Sequence, residues 1–526
     1  MTTLCPASSR MISRVFASLF LFAGQASTTA LHAASGAAVS SVNYEDFGAK
    51  GDGVTDDLEA IVAAHAYANQ HGLPVRTRSD ATYHLGTRAL TVVIQTDTDW
   101  NTSRFIIDDS QGVENHKRSL FEVRSRLEPV PLSIERLTRG QDRLDVRPAQ
   151  DLLVMVENAE KRVFIRRGLN ANSGVPQREA FILRRDGTIE GAIEWDYATI
   201  TKVEAQPIDP EPLILRGGIF RQIANQMVQP EGYNYWNRDI AIKRSNTEVD
   251  GVTLQIEGEG EFGHPYAGFL RADRAANITF RNCHIAGRKV YQTIGAAGKP
   301  VHMGTYGYNS SYVVNFRMIG CRMDERAIHD TTRWGVAATN FMKNVLVEDC
   351  VLSRMDVHQG VSGHYIIRRT KLGHAGLNAV GKGLLLVEDS EIHSPRFIAF
   401  RSDYGSPWDG EVVIRNSRWL PAPRPGVTPS VFNAQNDGTH DFGYPCMMPR
   451  SITIDGLEID DGWTRENKKP GVTFFDDVLG QGPDPRPFPY GITEYISVKN
   501  LTTASGVFPA VSPNETLRRA IRVERR

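Results

Sequence analysis

The chain has 526 residues, 41% hydrophobic and 23% charged. That is ordinary composition for a folded protein and excludes a wholly disordered, fibrous or multi-spanning chain. Sixty Lys and Arg against 61 Asp and Glu give a net charge of -1, so no global basic field favours nucleic acid. Length alone predicts three or four domains, unless the chain grows by repetition.

The first element is a leader. Arg10 and Arg14 precede the apolar run Val15–Ala23, and small residues with plausible cleavage points follow between Ala26 and Ala38. A charged start, a short apolar run and an Ala-rich exit form a signal-peptide pattern. The run is short for a membrane span. We therefore expect residues 1–34 to be a signal peptide. Its removal takes Cys5 with it, leaves a mature net charge of -3 and sends the protein to the periplasmic or extracellular space. No other stretch is apolar enough to span a bilayer, so integral membrane association is not expected.

Residues 43–61 read NYEDFGAKGDGVTDDLEAI. Gly48, Gly51 and Gly53 permit a tight turn, and Asp56 and Asp57 sit where an N-cap and first-turn carboxylate stabilise a helix over Leu58–Gln70. These aspartates, with Asp52, are read as structural. The segment strongly resembles the opening motif of the pectate-lyase-like superfamily, in its branch with rhamnogalacturonases, polygalacturonase-related proteins and phage tailspikes. The resemblance implies an all-β fold: a right-handed parallel β-helix whose N-terminal end is capped by that helix. The cap and first coils are assigned to residues 41–126.

Residues 127–211 depart from any coil pattern. VPLSIERL, LLVMVENA, KRVFIRRG, EAFILRRDGTI and ITKVEAQPI read as short antiparallel strands of an inserted small β subdomain. It either binds glycan, blocks one end of a cleft or only packs.

Residues 212–505 repeat one pattern: alternating apolar residues, then Gly, Asn or Asp, then a small or apolar residue. These last residues are Ile219, Val252, Cys283, Cys321, Cys350, Thr370, Ser390, Ser417, Leu457 and Leu501, spaced 33, 31, 38, 29, 20, 20, 27, 40 and 44 apart. The residue before each is Gly, Asn or Asp in every case but Arg369, and these types tolerate positive φ. A strand, a left-handed bend and a second strand, repeated, make a parallel β-helix. A β-sandwich would instead show hairpin signals every ~8–12 residues, and those are sparse. Cys283, Cys321 and Cys350 share one phase with Thr370, Ser390 and Ser417, which predicts an interior ladder, with simple stacking favoured over a disulfide. Cys446 stands alone. The tail 506–526 is Arg-rich and expected to form a short surface helix.

In the resembled superfamily, substrate clefts lie along one strand face of the coils and its flanking loops. Coils stack about 4.8 Å apart, so outward residues at one phase form a file matched to a sugar chain. Aligning the coils yields a file of Lys289, Tyr291, His329, Asp330, Arg333, Asp356, His358, His374, Asn378, Arg401 and Asp403, with Trp334, Tyr404 and Trp408 nearby. Asp330, Asp356 and Asp403 would supply the acid and base of a glycoside hydrolase, tuned by His358 and Arg401. Lys289, Tyr291, Arg333, Trp334, His374, Asn378, Tyr404 and Trp408 would bind sugar. The polygalacturonase signature blocks NTD, DD, GHG and RIK are absent, so the resemblance transfers no catalytic residue.

The expected function is thus an exported enzyme cleaving a polysaccharide or oligosaccharide, with hydrolysis favoured. The alternatives are a polysaccharide lyase using Arg333, Arg401, Lys289, Tyr291 or His358 on a uronate-containing glycan, and a non-catalytic glycan-binding β-helix. No cofactor is expected. Calcium would need a dense carboxylate cluster, which the file does not clearly form.

Overall fold

The computed structural model describes residues 41–526 except 167–172, 228–233, 296–299, 402–403, 422–428, 435–441, 464–470 and 478–489. The leader expected at 1–34 lies outside the described residues.

All ten bend residues have positive φ, from 42° at Asn416 to 93° at Gly456, and Arg369 adopts 44° like the rest. Each bend turns the chain from one strand into the next, and the coils stack by parallel pairing. Ile278–Arg281 pairs with Phe316–Ile319, then Val314–Ile319 with Lys343–Glu348, and so on to Tyr495–Thr503. The chain is a parallel β-helix. Its interior is one continuous apolar core that runs from Val42 to Ile521.

The N-terminal end is closed by helix Leu58–His71, which buries Leu58, Ile61, Ala64, His65 and Ala68. The opening motif works differently from a plain N-cap. The Asp57 carboxylate accepts hydrogen bonds from the Lys50 and Gly51 amides at 2.6 and 3.2 Å, folding the glycine turn back onto itself. Asp56 accepts from Leu58 N at the helix start and from Gly86 N in the next coil. At the other end, helix Glu515–Ala520 forms as expected, but strand Arg522–Arg525 follows and pairs with Tyr495–Val498. The tail therefore adds a coil strand beyond its surface helix.

The predicted cysteine ladder is present. Cys283, Cys321 and Cys350 are buried free thiols. The ladder continues as hydroxyls that accept from bend amides: Thr370 Oγ1 from Cys350 N, Ser390 Oγ from Thr370 N, and Ser417 Oγ from Ser390 N, at 3.1–3.2 Å.

A second ladder went unread in the sequence. Asn246, Asn277, Asn315 and Asn344 all have positive φ, and the side-chain amides of the last three each donate to the preceding Asn side-chain carbonyl at 2.8–3.0 Å. Asn315 also donates to Glu190 of the insertion at 2.7 Å. Asn315→Ala should cost about 2–4 kcal/mol, because Ala is strained at this φ and the Asn344 amide loses its acceptor. Asn315→Gly should recover about 1 kcal/mol of that by relieving the backbone alone. Equilibrium unfolding in guanidinium measures both, and a loss below 0.5 kcal/mol for the Ala variant would remove the ladder from the stability argument.

Within 127–211 a four-stranded antiparallel sheet forms from Leu152–Val163, Val175–Leu183, Ile189–Glu190 and Lys202–Pro207. VPLSIERL is not a sheet strand and makes one bridge, Leu137 to Tyr197. LLVMVENA and the start of KRVFIRRG merge into one strand. Alternation gives the sheet two apolar faces. Leu152, Val154, Phe181 and Leu183 pack under its own loops, while Leu153, Met155, Ala180 and Ile182 pack on Ala276 and Val314 of the β-helix.

Candidate functional site

Strands Val336–Asn340, Val351–Val357, Lys371–Ala379 and Arg396–Phe400 lie side by side, pairing Ala338 with Asp356, Met355 with Leu377, and Asn378 with Ala399. Met355, Val357 and Leu377 enter the core, so Asp356 and Asn378 face outward, as alternation requires. Asp356 is nevertheless 97% covered, being only 3% exposed. Its carboxylate is held by Arg401 at 2.8 Å, Arg354 at 3.1 Å, His358 at 3.0 Å and the Asn378 amide at 2.9 Å. The Tyr404 ring stacks on His358 at 4.8 Å, with Arg401 and Arg166 over its face.

Electrostatics give this cluster one state. Burial alone would raise the Asp356 pKa, but Arg354, Arg401 and His358 outweigh it and hold the carboxyl well below the usual range. Burial lowers His358 despite the adjacent carboxylate. Burial, reinforced by the Asp356 charge, raises the Tyr306 hydroxyl. Asp356 is a fixed anion, unsuited to donating a proton.

Of the predicted file, Asp356, His358, Asn378, Arg401 and Tyr404 meet here. Trp334 joins through Arg354, which lies 5.2 Å over its ring. Asp403 lies outside the described residues. The others go elsewhere. Asp330 ends helix Glu325–His329, bonds Thr332 and sits 3.6 Å from Arg333, which pairs with Glu259. Lys289 joins that same group through its backbone N–H, which donates a hydrogen bond to the Glu259 carboxylate at 3.0 Å. Tyr291 is buried in a hairpin with Pro300–Met303. His374 lies before the bend at Gly376 (φ 70°), which turns it away from Asn378 toward a groove shared with His329 and His393. Trp408 is a core residue whose indole donates to Gly383 O at 3.0 Å. These displacements arise because a bend or short helix between two coils resets the phase. Arg354 was legible: Arg354 and Asp356 alternate outward on strand Val351–Val357, and His358 follows at its end.

A cleft of about 890 Å³ opens just past His358, between the insertion and the coil bends. The bends contribute Phe341, Gln359–Ser362 and Val380–Lys382. Gly381 is required there, since a Cβ would lie 2.0 Å from Val361 O. The insertion contributes Arg139, Phe164, Glu179, Glu194 and Trp195, and the later coils contribute Ser406, Asp409 and Tyr444. Arg139 bridges to Asp409 at 2.7 Å. Trp195 and Phe164 both meet the Tyr444 ring edge-on, at 5.1 and 5.3 Å.

Two carboxylates converge in the cleft wall on Lys343, a buried lysine of the coil strand Met342–Glu348. Glu179 is 2.9 Å and Glu194 3.9 Å from its Nζ. Glu194 N also donates to Glu179 Oε1 at 2.9 Å, while Glu179 Oε2 is shielded from solvent and has no hydrogen-bond partner among the described residues. Burial, opposed by Lys343 and aided by Glu179, pushes Glu194 up to about 6. Beside it, Lys382 Nζ lies 3.6 Å from the centre of the Trp195 ring and 3.1 Å from Glu194 O, and burial pushes it down to about 8. None of these residues was singled out from sequence. The available signal was Glu194-Trp195-Asp196, an aromatic between carboxylates in a segment that has no coil phase. Among the described residues, no group of three or more His, Cys, Asp or Glu is placed to hold a metal ion.

No family model matches the chain. A capsule KL64-specific depolymerase of Klebsiella phage P510 is 30% identical over 117 residues, which are 20% of this chain and 12% of that protein. Among solved structures, the Gp54 tailspike of Acinetobacter baumannii bacteriophage AP22 is similar with a TM-score of 0.51 and 9% identity, covering 92% of this chain and 79% of that one. The tailspike gp49 of Pseudomonas phage LKA1 matches with a TM-score of 0.49 and 14% identity over 88% and 81%. The AP22 likeness supports the parallel β-helix fold.

Proposed function

We propose that the protein is an exported polysaccharide-cleaving enzyme that binds its substrate in the cleft between the insertion and the coil bends, and that it works by hydrolysis. The observation that carries this reading is the convergence of Glu194 and Glu179 on Lys343 in an aromatic-walled cleft. Glycoside hydrolysis needs one protonated carboxyl to release the leaving oxygen and one carboxylate to assist attack at the anomeric carbon. Glu194, pushed up to about 6, is the acid. Glu179, fixed by Lys343 and the Glu194 amide, is the carboxylate. Trp195 and Tyr444 offer faces for sugar rings. The partial likeness to a phage capsule depolymerase agrees with a glycan substrate. Export to the periplasm or beyond suits an enzyme whose polymer does not enter the cell.

The second reading is β-elimination on a uronate glycan, favoured by Lys382, whose pKa of about 8 suits a base near neutral pH. One assay separates them. The mature protein is incubated with a panel of bacterial polysaccharides and read for new reducing ends and for ultraviolet absorbance of an unsaturated product. Reducing ends without absorbance are expected; absorbance would replace hydrolysis by elimination, and neither signal would leave a binding protein. The pH profile follows from Glu194. A carboxyl acts as acid only while protonated, so kcat/KM should fall as pH rises through about 6. A profile flat from pH 5 to 8 would remove Glu194 from the acid role.

A further inference from the structure

We infer that the cleft selects a carboxylate-bearing glycan and seats a sugar carboxylate on Lys382, with Lys161 as a second contact; this rests on the cleft being the substrate site. The inference comes from how charges in the cleft are paired. Arg139 and Arg450 share a single carboxylate, Asp409, at 2.7 and 3.3 Å. Lys161 and Lys382 have no carboxylate within salt-bridge distance among the described residues. Lys343, buried in the coil strand, shows the contrast: the fold itself gives it Glu179 at 2.9 Å. Lys382 is partly desolvated; among the described residues it meets the Trp195 ring and one backbone carbonyl, and the Glu194 and Asp409 charges act on it from beyond salt-bridge distance.

A cation stripped of water and left without a counterion is costly, and a ligand carboxylate would remove that cost. The chain as a whole carries a charge of only -1, so the surplus of positive charge in the cleft is local. Trp195, stacked on the ammonium, also presents an indole for the ring of the same sugar, which places carboxylate and ring face at adjoining points. A neutral glycan would satisfy the indole and leave both lysines unpaired.

The test uses the full mature chain as Glu194→Gln, so that bound polymer is not cut. The probes are polygalacturonate, alginate, hyaluronan and uronate-containing bacterial capsular polysaccharides, each beside its carboxyl-reduced counterpart. We expect at least one acidic polymer to bind, and carboxyl reduction to weaken it by tenfold or more. Lys382→Gln should weaken the same polymer by a similar factor, Lys161→Gln by two- to fivefold, and Lys382→Arg should retain binding, which guards against a folding defect. Equal binding of the reduced polymer, capture of neutral glycans only, or capture of none overturns the inference. Tight binding with no cleavage by the wild type would overturn hydrolysis in this cleft and leave the carboxylate site standing.

Discussion

Glu194→Gln should lower kcat/KM on a cleaved polysaccharide by about a thousandfold while changing its affinity by less than threefold, since a positioned general acid contributes about 10²- to 10⁴-fold. Gln keeps the size of the side chain and its place beside Lys343 but has no proton to give at pH 5–7. Glu179→Gln should cost a comparable factor, because it removes the carboxylate partner. Asp330→Asn, at one of the three aspartates the coil file suggests, should retain full activity, because Asp330 is engaged with Thr332 and Arg333 away from the cleft. The decisive measurement is steady-state release of reducing ends by the three variants. If Glu194→Gln stayed within tenfold of wild type, or if Asp330→Asn were the inactive one, the catalytic centre would have to be moved back to the coil face.

Asp356→Ala should destabilise the fold by about 3–5 kcal/mol, because removing one partner of a buried ionic cluster strands the others. Arg354 and Arg401, 14% and 18% exposed, would then both lose the carboxylate they contact. Asp356→Asn should fall between, since it loses the charge and keeps a partner for the Asn378 amide. The cluster joins three adjacent strands, so the loss should appear in global unfolding and in faster proteolysis near residues 354–401. Chemical denaturation of the purified variants reads it. A loss below 1 kcal/mol with abolished cleavage would return Asp356 to catalysis, whereas a large loss of stability with residual activity supports its role as an ionic lock behind the cleft.

The fold was legible because a coil is a local instruction written many times. At each bend one residue must accept positive φ, and Gly, Asn or Asp marks it; ten repeats made the pattern robust to Arg369, which adopts the same geometry without belonging to the usual types. The Cys, Thr and Ser ladder followed from the same phase. The Asn246 to Asn344 ladder marks a second bend in each of these coils, with Asn again at positive φ. The Asp356 cluster was legible in part, and the Glu179–Glu194 cleft was not. Alternation correctly turned Asp356 and Asn378 outward, and the cluster includes His358, Arg401 and Tyr404. Alternation says which face a side chain leaves by, and says nothing of what covers it afterwards.

By itself, then, the sequence determined the stacked coils, the capping helix and an insertion that breaks their rhythm, since each depends on backbone conformations that neighbouring residues impose. Only the tertiary structure decided where chemistry is placed. Glu179 meets Lys343 across 164 residues, and the cleft exists because one apolar face of the inserted sheet docks on Ala276 and Val314. That docking buries Glu194 enough to push it up to about 6 and, among the described residues, leaves Lys382 against the Trp195 ring with no carboxylate at salt-bridge distance. Such effects come from burial and proximity between distant segments, and no local spacing records them.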